Sequence, residues 1–153
     1  MKYTNVFLGL GSNLGDRKAY LQAAIDSIDT HNEIEIIAKS SMIETSPIGE
    51  VNQGKFINMV IEVVTSLTAE RLLDVCLKIE QNNGRIRESK LGPRTLDIDI
   101  LFFDKQSIQS ENLKVPHSEA HKRHFVLLPL QEIAPSFTHP TLDLSVEVML
   151  RML

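Results

Sequence analysis

The chain has 153 residues, 42% of them apolar and 24% charged, which suits one packed domain over 1–153 and is too apolar for a disordered chain. Sixteen Lys and Arg against twenty Asp and Glu leave a net charge of −4, so no global field draws in nucleic acid or an anionic membrane, and any anion site has to be local. The single cysteine, Cys76, excludes an internal disulfide, and Met1 to Asn5 opens no long apolar run, so a cytoplasmic protein is expected.

In chain order, Val6-Phe7-Leu8-Gly9-Leu10 reads as a buried strand stopped by the turn signal Gly11-Ser12-Asn13. Leu21, Ala24, Ile25 and Ile28 then fall at i, i+3, i+4 and i+7, the stripe of a helix with Asp16 expected in its first turn and a stop near His31-Asn32. Ile34, Ile36, Ala38 and Met42 alternate with Glu33, Glu35, Ile37 and Lys39, a half-buried strand, and a second strand is expected from Phe56 to Thr65. Between them, residues 45–54 hold Pro47, two glycines and small polar residues, the composition of a long loop. Thr68 is a good N-cap, Glu70 suits the first turn, and Leu72, Cys76 and Ile79 form the stripe of a helix that Gly84 can close. A basic loop from Arg85 to Arg94 leads into a strand from Leu96 to Phe103, with a hairpin near Asp104-Lys105-Gln106. The order β-α-β-β-α-β with an antiparallel sheet is an α+β, ferredoxin-like arrangement, followed by a C-terminal extension. Its helices cover one sheet face and the other is free for a site.

Residues two apart in a strand share a face, so Asp97 and Asp99 point together, about 7 Å apart, while Leu96, Ile98, Ile100 and Phe102 are expected to face the core. Two hard oxygen donors on one rigid element suit Mg²⁺, although Asp-x-Asp alone fits a solvated strand face equally well. Just upstream, Arg85, Arg87, Lys90 and Arg94 stand against Glu88, a local charge of +3 whose guanidinium forks suit phosphate oxygens. Phe56 and Asn58 share a face and offer a flat apolar surface with an amide, which fits a planar heterocycle; a core Phe beside an edge-strand Asn explains the pair as well. His117 either meets a phosphate or caps a turn. The C-terminal histidines have no nearby Cys and make a poor zinc set. Gly9, Gly11 and Gly15 miss the dinucleotide spacing, no P-loop occurs, and these glycines are read as turning the first strand into its helix.

Taken together, Gly11-Ser12-Asn13-Leu14-Gly15-Asp16, Glu44-Thr45 with Pro47-Ile48-Gly49, Phe56 to Asn58, Gly92-Pro93-Arg94-Thr95-Leu96-Asp97-Ile98-Asp99-Ile100 and Val115-Pro116-His117 resemble the hydroxymethyldihydropterin pyrophosphokinase family, nearly end to end. A monomer is expected, and the resemblance implies transfer of a diphosphoryl group from ATP to 6-hydroxymethyl-7,8-dihydropterin, with two Mg²⁺ ions on Asp97 and Asp99 and with Arg85 and Arg94 neutralising the moving group. It also implies ATP contacts at Glu80, Arg87, Leu91, Arg94, Ile100, His117 and Arg123, and a pterin pocket of Thr45, Ser46, Ile48, Phe56, Asn58 and Phe125. Leu91 stands where the family often has Trp, Leu77 where a Gln is common and Ser46 where a second Pro is common, while Asn112 and Lys114 lie near positions used elsewhere for ATP. Two rivals are weighed. A nucleotidyl-transfer domain would share the Asp pair but sits badly with the acidic net charge, and an RNA-binding module would have no use for Asp97 and Asp99.

Overall fold

The computed structural model describes residues 3–45, 55–85 and 95–153. Strands β1 (Thr4–Ser12), β2 (Ile34–Lys39), β3 (Ile43–Thr45), β4 (Phe56–Thr65) and β5 (Asp97–Phe103) form one antiparallel sheet in the order β2-β4-β1-β5, with β3 also on β4. Helices α1 (Arg17–Asp29) and α2 (Ala69–Asn82) fill the two crossovers, which completes the ferredoxin-like order.

The strand expected from Phe56 to Thr65 is present, buried nearly throughout, and the stripe of α2 holds as expected. Thr68 caps α2 by accepting from Arg71 N, and Asp16 caps α1 by accepting from Ala19 N. Gly84 closes α2 at φ +79°, a left-handed conformation that a side chain would strain. Val6, Leu8 and Leu10 meet Leu21, Ile28, Leu72 and Ile79 beneath these helices in the main core. Cys76 is buried there, and desolvation, then the charges of Glu80 and Asp99, push its thiol up to about 12, so it packs as a small apolar group.

Four expectations need correction. First, β1 does not stop at Leu10 but continues through Gly11 to Ser12, because both neighbours keep pairing with it: Gly11 stands opposite Asn58 on one side and Asp97 on the other. The turn comes at Gly15, φ +74°. Second, the strand from Ile34 to Met42 is broken. β2 and β3 lie along one edge of β4, and at the gap Ser40 pairs with Val60, its N–H donating to the carbonyl and its Oγ accepting from the Val60 N–H.

Third, the chain turns at Asp104, but β6 (Ile108–Gln109) does not return along β5. It pairs with β7 (Lys114–Val115) in a separate ribbon. Fourth, the second sheet face is only half free. Phe7, Val60, Leu101 and Phe102 make one end of it apolar, and α3 (His124–Ile133) and α4 (Val146–Arg151) cover that end with Val126, Leu127, Leu130, Val146 and Met149. Phe137 caps the cluster edge-on, 4.9 Å from the rings of both Phe7 and Phe102, contacts worth about 0.5–1.5 kcal/mol each beyond area burial. The extension is therefore part of the fold. Among the described residues no helix is long and apolar enough to cross a membrane.

Candidate active site

The uncovered end of the second face is built by parity. Residues 7, 9 and 11 of β1 share that face, and the register places Val60 and Asp99 beside Gly9 and places Asn58 and Asp97 beside Gly11. One row thus runs Asn58, Gly11, Asp97 across three strands. The middle strand contributes no side chain, so the carboxylates at one side and the Phe56/Asn58 surface at the other flank an open floor. A Cβ on Gly11 would lie 2.8 Å from Asn58 Oδ1 and 3.7 Å from Phe56 Cδ1, too close for the first.

Asn58 is buried, and its Nδ2 donates to Thr45 Oγ1 at 2.8 Å, so Thr45, Phe56 and Asn58 come together as expected. Thr45 and Phe56 are also directly paired across β3 and β4. Ser46, Ile48, Arg87, Leu91 and Arg94 lie outside the described residues.

On the acidic side, Arg85 is nearly enclosed, its side chain 7% exposed. Its Nη1 donates to Asp97 Oδ1 at 2.6 Å and to the Leu96 carbonyl at 3.1 Å. The same nitrogen stands 3.5 Å from Glu80 Oε2, which also accepts the Ile98 N–H at 2.8 Å. Glu80 is thus a buried brace: it fixes the start of β5 and holds Arg85 from below. Arg85 Nε and Thr95 Oγ1 are buried with no acceptor or donor among the described residues. Ile100 faces the helices and packs in the main core, so its main chain, not its side chain, is what the site could use.

His117 does cap its turn. Its Nδ1 accepts from Glu119 N at 3.1 Å, which leaves the proton of the neutral ring on Nε2, and its own N–H donates to the Leu101 carbonyl at 2.9 Å. Burial, then the nearby Arg123 charge, lowers its pKa from the ordinary value, against the opposing pull of Asp97 and Glu119. His117 therefore presents a neutral ring with its proton on Nε2. A cavity of about 240 Å³ opens beside it, with Lys114, Ser118, His121 and His139 among its walls. Arg123 lies over the ring of Phe125, 5.4 Å from its centre, a stacking contact that holds both at the start of α3.

Gly11 was legible only as a turn signal, although two glycines at i and i+2 in a strand announce a face kept clear. Glu80 entered through resemblance, yet the helix pattern also marks it: it follows Leu72, Cys76 and Ile79 at i+8 on the buried stripe, where a charge must find a partner. Arg17, which ties α1 to the sheet, left no local sign.

The donor set suits magnesium. Asp97 and Asp99 lie on one face opposite glycines, so the neighbouring strand leaves room above them, and a pair of carboxylates completed by substrate phosphates is the usual Mg²⁺ environment. Among the described residues no group of three or more His, Cys, Asp or Glu side chains forms an all-protein metal cage.

Residues 7–135 match the model of the 7,8-dihydro-6-hydroxymethylpterin-pyrophosphokinase (HPPK) family. The 2-amino-4-hydroxy-6-hydroxymethyldihydropteridine pyrophosphokinase of Bacillus subtilis (strain 168) is 44% identical over 127 residues, covering 83% of this chain and 76% of the relative. The protein of the same name from Aquifex aeolicus (strain VF5) is 44% identical over 135 residues, covering 88% of this chain and 83% of the relative. The crystal structure of wild-type Plasmodium falciparum HPPK-DHPS with pteroate superposes with a TM-score of 0.77 at 17% identity, a likeness of fold alone. That match takes in 99% of this chain, which spans only 42% of the longer Plasmodium chain. With the family model matched over most of its length and relatives above 40% identity, the chain belongs to the 7,8-dihydro-6-hydroxymethylpterin-pyrophosphokinase family.

Proposed function

We propose that this chain, as a single catalytic domain and a cytoplasmic monomer, transfers the diphosphoryl group of ATP to 6-hydroxymethyl-7,8-dihydropterin in folate biosynthesis. The observation that supports the reading is the row Asn58, Gly11, Asp97, in which an aromatic and amide surface lies one strand away from a face carrying two carboxylates.

The pterin ring lies against Phe56 over Gly11, with Asn58 and Thr45 meeting its amide edge and Phe125 closing the other side; Ser46 and Ile48 belong to the same pocket. The pterin hydroxymethyl oxygen forms a bond to the β-phosphorus while the bond from that phosphorus to the oxygen bridging to the α-phosphorus breaks. AMP leaves, and the hydroxyl proton passes to water. Little is asked of the protein beyond alignment and charge neutralisation. Asp97 and Asp99 would hold two Mg²⁺ ions, which when bound supply positive charge to the polyphosphate oxygens. Arg85, kept in place by Glu80 and Asp97, and Arg94 stabilise charge on the diphosphoryl group. Arg87, Leu91, Arg123, the main chain at Ile100 and the Nε2–H of His117 contact the nucleotide, whose sugar-phosphate part fits the cavity beside Lys114.

The test is direct. With ATP, Mg²⁺ and the pterin alcohol, AMP and a pterin methyl diphosphate should appear in equal amounts. ADP as the stoichiometric product contradicts the reading.

A further inference from the structure

Arg17 sits at the first position of α1, away from the Asp97 face, and its guanidinium joins two segments that are distant in sequence. Nη1 donates to the Lys55 carbonyl at 2.8 Å, and Nη2 lies 3.2 Å from Glu44 Oε2. Lys55 Nζ adds a looser contact to the other Glu44 oxygen at 4.0 Å. Glu44 and Lys55 immediately precede Thr45 and Phe56, the last residue pair where β3 meets β4.

β3 is three residues long, too short for its pairing to be secure on its own. Its Thr45 nevertheless has to hold Asn58, through the 2.8 Å bond to Oγ1, at the angle that sets the amide beside Gly11. A half-exposed ion pair by itself contributes little. The fork does more than pair charge, because one planar group holds a carboxylate on β3 and the carbonyl just before β4 at a fixed separation, which a lysine cannot do.

We infer that Arg17 is a positioning residue for the pterin pocket: by clipping Glu44 to the Lys55 carbonyl it fixes Thr45 against Phe56 and thereby orients Asn58. The inference rests on the pyrophosphokinase reading for the identity of the ligand. It concerns the pterin side alone, since neither contact of Arg17 reaches Asp97, Arg85 or His117.

The experiment is a fluorescence titration of 6-hydroxymethylpterin, with steady-state kinetics in parallel, on the parent protein and on Arg17→Ala, Arg17→Lys and Glu44→Gln. In Arg17→Ala the pterin Kd and KM should rise about five- to tenfold, with ATP KM and the melting temperature nearly unchanged. Arg17→Lys, which keeps the charge and loses the fork, should lie between. Glu44→Gln should show a smaller loss, because the bond to the Lys55 carbonyl remains. Pterin affinity equal to the parent in Arg17→Ala overturns the inference, as does an equal loss for ATP and pterin. If Arg17→Ala fails to fold, unchanged pterin affinity in both Arg17→Lys and Glu44→Gln overturns it instead. A parent protein that forms no AMP contradicts the functional reading, and the pterin titration still decides the role of Arg17.

Discussion

Arg85 and Asp97 are joined by a 2.6 Å bond at the edge of the open sheet face, and the same guanidinium nitrogen is flanked from below by Glu80. With side chains 7% and 2% exposed, Arg85 and Glu80 form a buried pair whose charges depend on each other. Replacing Glu80 by Ala strands the Ile98 N–H and leaves Arg85 with only Asp97 and the Leu96 carbonyl, so Glu80→Ala should destabilise the fold by about 1–3 kcal/mol in urea titrations. Glu80→Gln keeps an acceptor for Ile98 and should cost less. A loss under about 1 kcal/mol for Glu80→Ala would show that Arg85 is held by Asp97 alone.

The two aspartates should separate in their side effects. Asp97→Asn and Asp99→Asn should each cut turnover by on the order of a hundredfold or more, because a carboxylate for Mg²⁺ is lost. Asp97→Asn should also lower the urea midpoint, since it removes the carboxylate bonded to Arg85. Normal turnover in both variants removes the metal assignment.

Gly11 and Gly9 make a matched control. Gly11→Ala sets a methyl 2.8 Å from Asn58 Oδ1 and should cost about 1–3 kcal/mol together with most of the pterin affinity. Gly9→Ala meets Leu101 Cδ1 at 3.4 Å, an ordinary contact, and should leave pterin affinity close to the parent's. Calorimetric titrations of the two variants that agree with each other would contradict a floor kept clear at Gly11.

Acid should weaken the fold through His139. Its Nδ1 accepts the N–H groups of both Thr141 and Leu142, so protonation there breaks a turn, and burial followed by the neighbouring His121 lowers its pKa. A histidine with a depressed folded pKa binds protons better when unfolded. Its contribution is therefore intact above the ordinary value near 6.5 and is lost as pH falls from there through the folded value. Urea midpoints should decline between about pH 7 and pH 5, and His139→Gln should flatten that decline. An unchanged slope in the variant assigns the acid sensitivity elsewhere.

Much of this was legible because it is local. The strand from Phe56 to Thr65 and the capped stripe from Thr68 to Gly84 depend on neighbours within one turn or one strand, and both are present in the fold. Asp97 and Asp99 share a face for the same reason. What escaped is long-range. Whether Gly11 ends a strand or lies in its middle depends on Asn58 and Asp97, which are 47 and 86 residues away. The break at Ser40 is set by Val60, and the helices of the C-terminal extension are ordered by an apolar patch from Phe7, Val60, Leu101 and Phe102. Pro129 inside α3 further obscures that helix, since a proline in an apolar run reads as a break.

The central claim is that both outer phosphates of ATP move together. The most direct measurement follows the label from ATP marked at the β-phosphorus, mixed with Mg²⁺ and 6-hydroxymethyl-7,8-dihydropterin, and separates the products by chromatography. The account predicts that the label leaves with the pterin, in step with one AMP for each pterin consumed. Label recovered in ADP would mean transfer of a single phosphoryl group, and label in free pyrophosphate would mean nucleotidyl transfer; either result contradicts it.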